Sequence, residues 1–331
     1  MRMIRGLFSS ALYLAVLLTA LWTCAALWID GPPNRPLAGL LVVGYVVLTA
    51  IVVVRFRPIT RSAMLYAVPF VVVLGWWFSI APSNERNWLP EVARLPLARV
   101  EGDIVTIHNV RNFEYRSDTD FTERWETRSY NLSKIKGVDL FISRWGSPLI
   151  AHTFVSWDFE GGPPLTISIE TRKEVGESYS AILGFFRQFE LYYVVSTEND
   201  VARVRTDFRG ENVYLYRVRG TPEKARALLL DYLKSVNALH ETPAWYNALK
   251  HNCTTSIRQH VQHVAPRPWD WRVLVNGYLD EAGYEHGTLN NSMPFDELRR
   301  RSHINERAKA AGRNDYSERI RDGLPARPSK D

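Results

Sequence analysis

Three uncharged stretches crowd the first 80 residues, and they constrain the fold more than anything that follows. Leu7–Ile29 runs for 23 residues, Leu37–Val54 for 18 and Met64–Ile80 for 17, with Pro69 inside the last. About 20 apolar residues in a helix cross the hydrocarbon layer of a bilayer. A cleaved export signal is shorter and closes on small residues, whereas Trp22, Leu27 and Trp28 prolong the first stretch and two more follow it. The pattern predicts a three-span membrane anchor over residues 1–80. The third stretch is short enough to lie re-entrant or along the interface as an alternative to spanning.

Basic side chains beside the spans set the expected orientation. Arg2 and Arg5 precede the first, and Arg55, Arg57 and Arg61 fill the loop between the second and third. The loop between the first and second holds only Asp30 and Arg35. Both basic clusters fit the cytoplasmic side, so three spans export everything after Ile80. Trp76 and Trp77 suit the interfacial belt there. In a bacterial cell this means a multi-pass inner-membrane protein with a periplasmic C-terminal domain beside inner-membrane lipid.

A net charge of +6 over 331 residues invites a nucleic-acid reading. Residues 1–80 hold six arginines and one acid, however, which leaves 35 basic against 34 acidic residues in the remainder. The exported part is neutral, and no nucleic-acid partner is expected. Of two cysteines, Cys24 lies within the first span, so Cys253 is expected as a free thiol in an oxidising compartment.

Pro82, Pro90 and Pro96 mark residues 81–100 as a tether. Residues 111–136 read as a long polar loop. Strand-like runs cover Asp103–His108, Val138–Ser143, Ala151–Phe159, Leu165–Glu170, Leu191–Ser196, Val201–Arg205 and Asn212–Val218, with Gly161-Gly162-Pro163-Pro164 as a turn. Thr221 and Pro222 open a helix whose stripe is Ala225, Leu228, Leu229, Tyr232, Leu233 and Val236. A second helix starts near Asn252 and ends before Pro266, and a third covers Trp269–Glu281. Strands first and helices after predict an α+β domain over 101–296, its mostly antiparallel sheet covered on one side. Residues 297–331 are charge-rich with little apolar period and read as a mobile tail. Walker, Gly-x-Gly-x-x-Gly, Gly-x-Ser-x-Gly and Cys-x-x-Cys motifs are all missing, which argues against nucleotide hydrolysis, dinucleotide redox and serine-hydrolase chemistry.

The segment richest in chemistry is Tyr246-Asn247-Ala248-Leu249-Lys250-His251-Asn252-Cys253-Thr254-Thr255-Ser256. Asn252 is a good N-cap, with Thr254 or Thr255 as rivals, so Cys253 falls at a helix start in either register. Amides and the positive dipole end there favour a thiolate and can hold an oxyanion. Cys253 also shares a stripe with Ile257 and Val261, which fits a buried, inert cysteine equally well. A thiol nucleophile needs an imidazole within about 3 Å. His152 is the preferred base: strand alternation puts it on a face with Phe154 and Ser156, beside Thr166, Ser168 and Glu170 of the next strand. Ser168 and Glu170 both qualify as the group orienting the ring. His108 is a reserve base, and His251 shapes the pocket or is solvated. His260 and His263 permit a metal pair, but about 10.5 Å of helix separates His260 from Cys253. No metal and no cofactor are expected.

The stretches "SPLIAHTFVSWDF", "SIETRKEVGESYSAILGFFRQFELYYVV" and "YNALKHNCTTSIR" resemble the Lnb N-terminal periplasmic domain family over roughly Glu101–Pro268. That family is similar to the permuted papain-like, NlpC-type thiol enzymes, in which the histidine precedes the cysteine as His152 precedes Cys253. The resemblance implies such a fold, Cys253 as nucleophile, His152 as base and Glu170 as third group; Asn252, Ser168, His251 and Thr254 are expected as accessory residues. Its namesake is implicated in N-acylation of bacterial lipoproteins, but this chain lacks the long membrane portion that follows the domain there. The expected function is a membrane-anchored cysteine acyltransferase working through an acyl-thioester on a lipid or lipoprotein-type substrate. The alternatives are a cysteine amidase or peptidase on cell-wall peptide, and a non-enzymatic periplasmic scaffold.

Overall fold

A computed structural model describes residues 2–328, in which the three apolar stretches are helices α1 (Arg2–Ile29), α2 (Arg35–Arg55) and α3 (Ile59–Ser79). Each is long and apolar enough to cross a membrane. Asn34 caps α2 by accepting from the Leu37 amide at 3.2 Å. Val16, Leu27, Tyr45, Val52 and Tyr66 pack between the helices, whereas Leu14, Leu17, Leu18 and Leu21 face outward, as lipid contact requires. A returning segment, Ser180–Phe189, completes this unit. Asp30, just past α1, accepts from Trp77 Nε1 at 2.7 Å, Gln188 Nε2 at 2.8 Å and the Arg187 amide at 3.1 Å. The Arg187 guanidinium lies 4.2 Å over the Trp77 ring.

The second unit holds Asn84–Tyr179 and the chain from Glu190 onward. Its strands are β1 (Leu97–Glu101), β2 (Ile104–Arg111), β3 (Glu114–Tyr115), β4 (Phe121–Thr122), β5 (Trp125–Asn131), β6 (Ile135–Arg144), β7 (Ala151–Phe159), β8 (Leu165–Arg172), β9 (Glu190–Ser196) and β10 (Asn212–Arg217). The main sheet runs β1-β2-β9-β8-β7-β6-β10, with β5 paired to β2; only the β2–β9 contact is parallel. The short hairpin β3–β4 stands apart. The helices are α4 (Glu198–Val201), α5 (Pro222–Glu241), α6 (Cys253–Val264), α7 (Leu279–Glu285), α8 (Phe295–Ser302), α9 (Asn305–Ala310) and α10 (Tyr316–Arg319).

Alternation decides which side chains reach which layer. Val155, Trp157, Leu165, Ile167 and Ile169 bury one face of β7 and β8 under α5 and α6. The expected α5 stripe, Ala225 to Val236, packs onto it, and Thr221 accepts from the Lys224 amide at 3.3 Å. Trp157 Nε1 donates to the Ala225 carbonyl at 2.9 Å, so this large side chain is buried without an unpaired polar atom.

Several expectations are corrected. The sheet is covered on both faces: Phe141, Phe154, Val213 and Leu215 bury the second against Val201, Ala202, Ile304, Ala308, Tyr316 and Ile320. Residues 297–331 were expected to be a mobile tail; the described part, up to residue 328, supplies that second cover through Ile304, α9 and α10, and 329–331 lie outside the described residues. Arg321 reinforces it by reaching Asp139 and Glu198 at 2.8 and 2.6 Å, both carboxylates being fully buried. Charge masked the apolar period there, because few but large apolar residues do the packing. Val201–Arg205 is not a strand; it lies in α4 and a π-helical turn over Val204–Phe208, below the sheet. The loop expected over 111–136 contains β3, β4 and β5. The tether expected over 81–100 is docked: Val92 is buried, its carbonyl accepts from Arg172 Nε at 3.0 Å, and Leu97 already begins β1. Trp269–Glu281 is two tight turns, Trp271–Val273 and Asn276–Tyr278, before α7 begins.

Candidate active site

The segment before α6 is held by a reciprocal cap. Asn252 Oδ1 accepts from the Thr255 amide at 2.8 Å, and the Asn252 amide donates to Thr255 Oγ1 at 3.0 Å. Cys253 is therefore the first helical residue, where the helix leaves its leading amides without internal acceptors. Its side chain is 7% exposed, and neither cysteine is in a disulfide.

Burial alone raises the pKa of the Cys253 thiol. The positive charge and hydrogen bond of His152, the Thr153 backbone and the Thr254 hydroxyl outweigh that effect and bring it down to about 6. Burial and the charge of Arg205 press His152 toward neutrality, but the sulfur and Glu170 prevail and lift it to about 9. The two shifts run in the directions that favour a thiolate and an imidazolium.

The far side of the ring is equally defined. His152 Nε2 lies 2.7 Å from Ser168 Oγ, and Ser168 donates its proton to Glu170 Oε1 at 2.8 Å. Ser168 can therefore only accept from Nε2–H. Glu170 Oε1 is 3.6 Å from the ring and 3.1 Å from the Arg205 guanidinium. Burial would raise the Glu170 pKa, but Arg205 and His152 hold it well below the usual carboxylate range. Where the strand pattern left Ser168 and Glu170 as alternatives, they act in series.

Asn276 was missed by sequence reasoning. Its Nδ2 donates to Thr254 Oγ1 at 2.9 Å and lies 3.9 Å from the Cys253 sulfur, while its Oδ1 accepts from the Ala151 amide at 2.7 Å. It ties the first turn of α6 to the start of β7, next to His152. The tie depends on Gly277, because a Cβ there would sit 2.0 Å from the Pro148 carbonyl oxygen. Arg144 anchors the same turn by donating to the Gly277 carbonyl at 2.8 Å and to Asp280 at 2.7 Å. Tyr246 and Tyr179 are also close: their hydroxyls are hydrogen-bonded together, and both stay protonated through burial and the negative charge of Cys253. Thr254 further meets Thr153 Oγ1 at 3.0 Å.

The remaining candidates lie elsewhere. His251 is exposed, and its amide donates to the Asn247 carbonyl at 3.0 Å. His108 sits on β2, separated from β7 by β9 and β8, with Nδ1 3.1 Å from Thr127 Oγ1. His260 and His263 share Asp231 at 2.7 and 3.0 Å, and His260 also reaches the Tyr193 hydroxyl at 2.8 Å, so both serve the α5–α6 contact. Among the described residues no cluster of three His, Cys, Asp or Glu side chains offers a metal site.

Exposed apolar side chains flank the segments that form this site. Trp145, Leu149 and Ile150 precede β7, Leu249 precedes the cap, and Trp269, Trp271 and Leu274 precede Asn276; each is more than 40% exposed.

Residues 121–277 are similar to the Lnb N-terminal periplasmic domain family, whose model they match, and that range contains His152, Ser168, Glu170, Cys253 and Asn276. Neither a curated protein nor a solved structure matches the chain.

Proposed function

We propose that this chain is an inner-membrane thiol acyltransferase whose catalytic domain faces the periplasm, with α1 to α3 as its anchor and its N-terminus in the cytoplasm. The observation that carries the reading is the acidified Cys253 at the first position of α6, facing an imidazole backed by Ser168 and Glu170. The order of histidine strand before cysteine helix supports a relation to permuted papain-like enzymes. The solvent-facing tryptophans and leucines around the site favour an acyl substrate over a polar cell-wall peptide.

In this reading the Cys253 thiolate attacks the carbonyl carbon of an acyl ester, forming a C–S bond and a tetrahedral oxyanion. The Cys253 and Thr254 amides and Asn276 Nδ2 are the donors for that charge. Collapse breaks the ester C–O bond, and the imidazolium of His152 gives its proton to the leaving oxygen. Neutral His152 then takes a proton from the acceptor amine as its nitrogen attacks the thioester, and the thiolate leaves again. Water as acceptor gives hydrolysis by the same steps.

The test is intact-mass measurement of the full chain after incubation with isotopically labelled phospholipid. The expected result is a gain of one acyl chain, released by neutral hydroxylamine and absent in Cys253→Ser. No adduct on the wild-type chain refutes the acyltransferase reading, and muropeptide release by wild type but not by Cys253→Ser replaces it with the amidase.

A further inference from the structure

The helix-covered face of the sheet contains a cavity of about 440 Å³, within the range of small-molecule sites. Its walls are aliphatic: Leu140 and Val155 from the sheet, Leu228 from α5, Ile257 and Val261 from α6, and Leu279 from the first turn of α7. No Phe, Tyr or Trp lines it, although aromatic residues make up 12% of the chain. Flat rings therefore find no stacking surface there. Thr254, the polar group on the inner wall, is engaged by Thr153 and Asn276, so a sugar or peptide finds little to bond.

The lining is cationic where it reaches solvent. Lys224 and Arg267 are exposed, and Arg219 and Arg258 are half-buried beside them. The one carboxylate in the lining, Asp270, is already bound by Arg272 at 2.7 Å and by His286 at 3.0 Å. An aliphatic interior under a positive rim complements one kind of molecule, an unbranched chain with an anionic head.

We propose that this cavity binds a free long-chain fatty acid, its tail among Leu140, Val155, Leu228 and Ile257 and its carboxylate at Lys224 and Arg267. Binding is non-covalent and goes beyond the acyl-transfer reading, since Cys253 does not line the cavity. Thr254 belongs to both places, so an occupant rests against the residue that helps hold the thiol.

The test uses the full chain in lipid nanodiscs and the fluorescence of dansylated undecanoic acid, with protein-free nanodiscs subtracted. Saturable enhancement is expected, displaced by oleate and not by oleylamine. Cys253→Ala keeps this binding while abolishing any thioester, which separates the cavity from the catalytic reading. Val261→Trp fills the cavity from a half-buried wall position and removes the enhancement. Should that variant fail to fold, the charge reversal Lys224→Glu with Arg267→Glu alters only exposed side chains and weakens oleate binding roughly tenfold or more. The proposal is overturned by no saturable signal, by equal displacement with oleylamine, by full binding in either cavity variant, or by loss of binding in Cys253→Ala.

Discussion

At the scale of single residues the proposed chemistry rests on a proton balance between Cys253 and His152. The thiol's folded pKa, about 6, lies below its free value near 8.5. Its contribution to stability is therefore complete above the free value and is lost as pH falls through about 6. The imidazole's folded pKa, about 9, lies above its free value near 6.5, so its contribution is complete below that free value and is lost as pH rises through about 9. The ion pair of the proposed mechanism would thus occupy the window between about 6 and about 9. Alkylation of Cys253 by iodoacetamide, followed against pH, is expected to show a midpoint near the lower limit. His152→Ala moves that midpoint up toward the free-thiol value or beyond, because burial then acts alone. Coincident profiles for the two proteins contradict the arrangement. The alternation of β7 and β8 made His152, Ser168 and Glu170 legible as neighbours on one face. It could not order them, since the serine's place between ring and carboxylate depends on side-chain rotamers.

At the scale of elements, the start of α6 is what aims the sulfur. The Asn252 cap was readable because a short polar side chain directly before an apolar stripe has one common use. Removing it in Asn252→Ala is expected to cost about 1 kcal/mol, read as a lower thermal midpoint, with a rise in the Cys253 alkylation midpoint as the first turn frays. Asn252→Asp retains the acceptor and keeps the midpoint of unfolding near wild type. The Asn276–Gly277 turn was not readable. It was expected inside a helix over Trp269–Glu281, and its role comes from a close approach to Pro148 that no local pattern encodes. Arg144 and Asp280, which hold it, lie 136 positions apart in the sequence.

At the scale of the whole sheet-bearing unit, both faces of the sheet are covered. Residues 297–331 were expected to be mobile from their charge, yet Tyr316 and Ile320 lie in the second core and Arg321 bridges Asp139 and Glu198. Arg321→Ala leaves two buried carboxylates short of a counter-charge; Arg327 still reaches Asp139. The expected cost is about 3–5 kcal/mol, measured as loss of the cooperative thermal transition's upper range in the full chain. A change within error shows that the C-terminal helices do not hold the sheet.

What the sequence determined by itself is everything carried by short-range periodicity: the three membrane-length helices, strands β7 and β8 with their faces, the α5 stripe, and Cys253 at a capped helix start. The tertiary structure alone decided that Ser168 stands between His152 and Glu170, that Asn276 joins the start of α6 to the start of β7, that an aliphatic cavity lies behind Thr254, and that a charged C-terminal region covers the second face of the sheet. The division has one physical cause. A side chain's face follows from the backbone repeat of its own element, whereas its partners follow from how distant elements pack, and packing is a property of the assembled core.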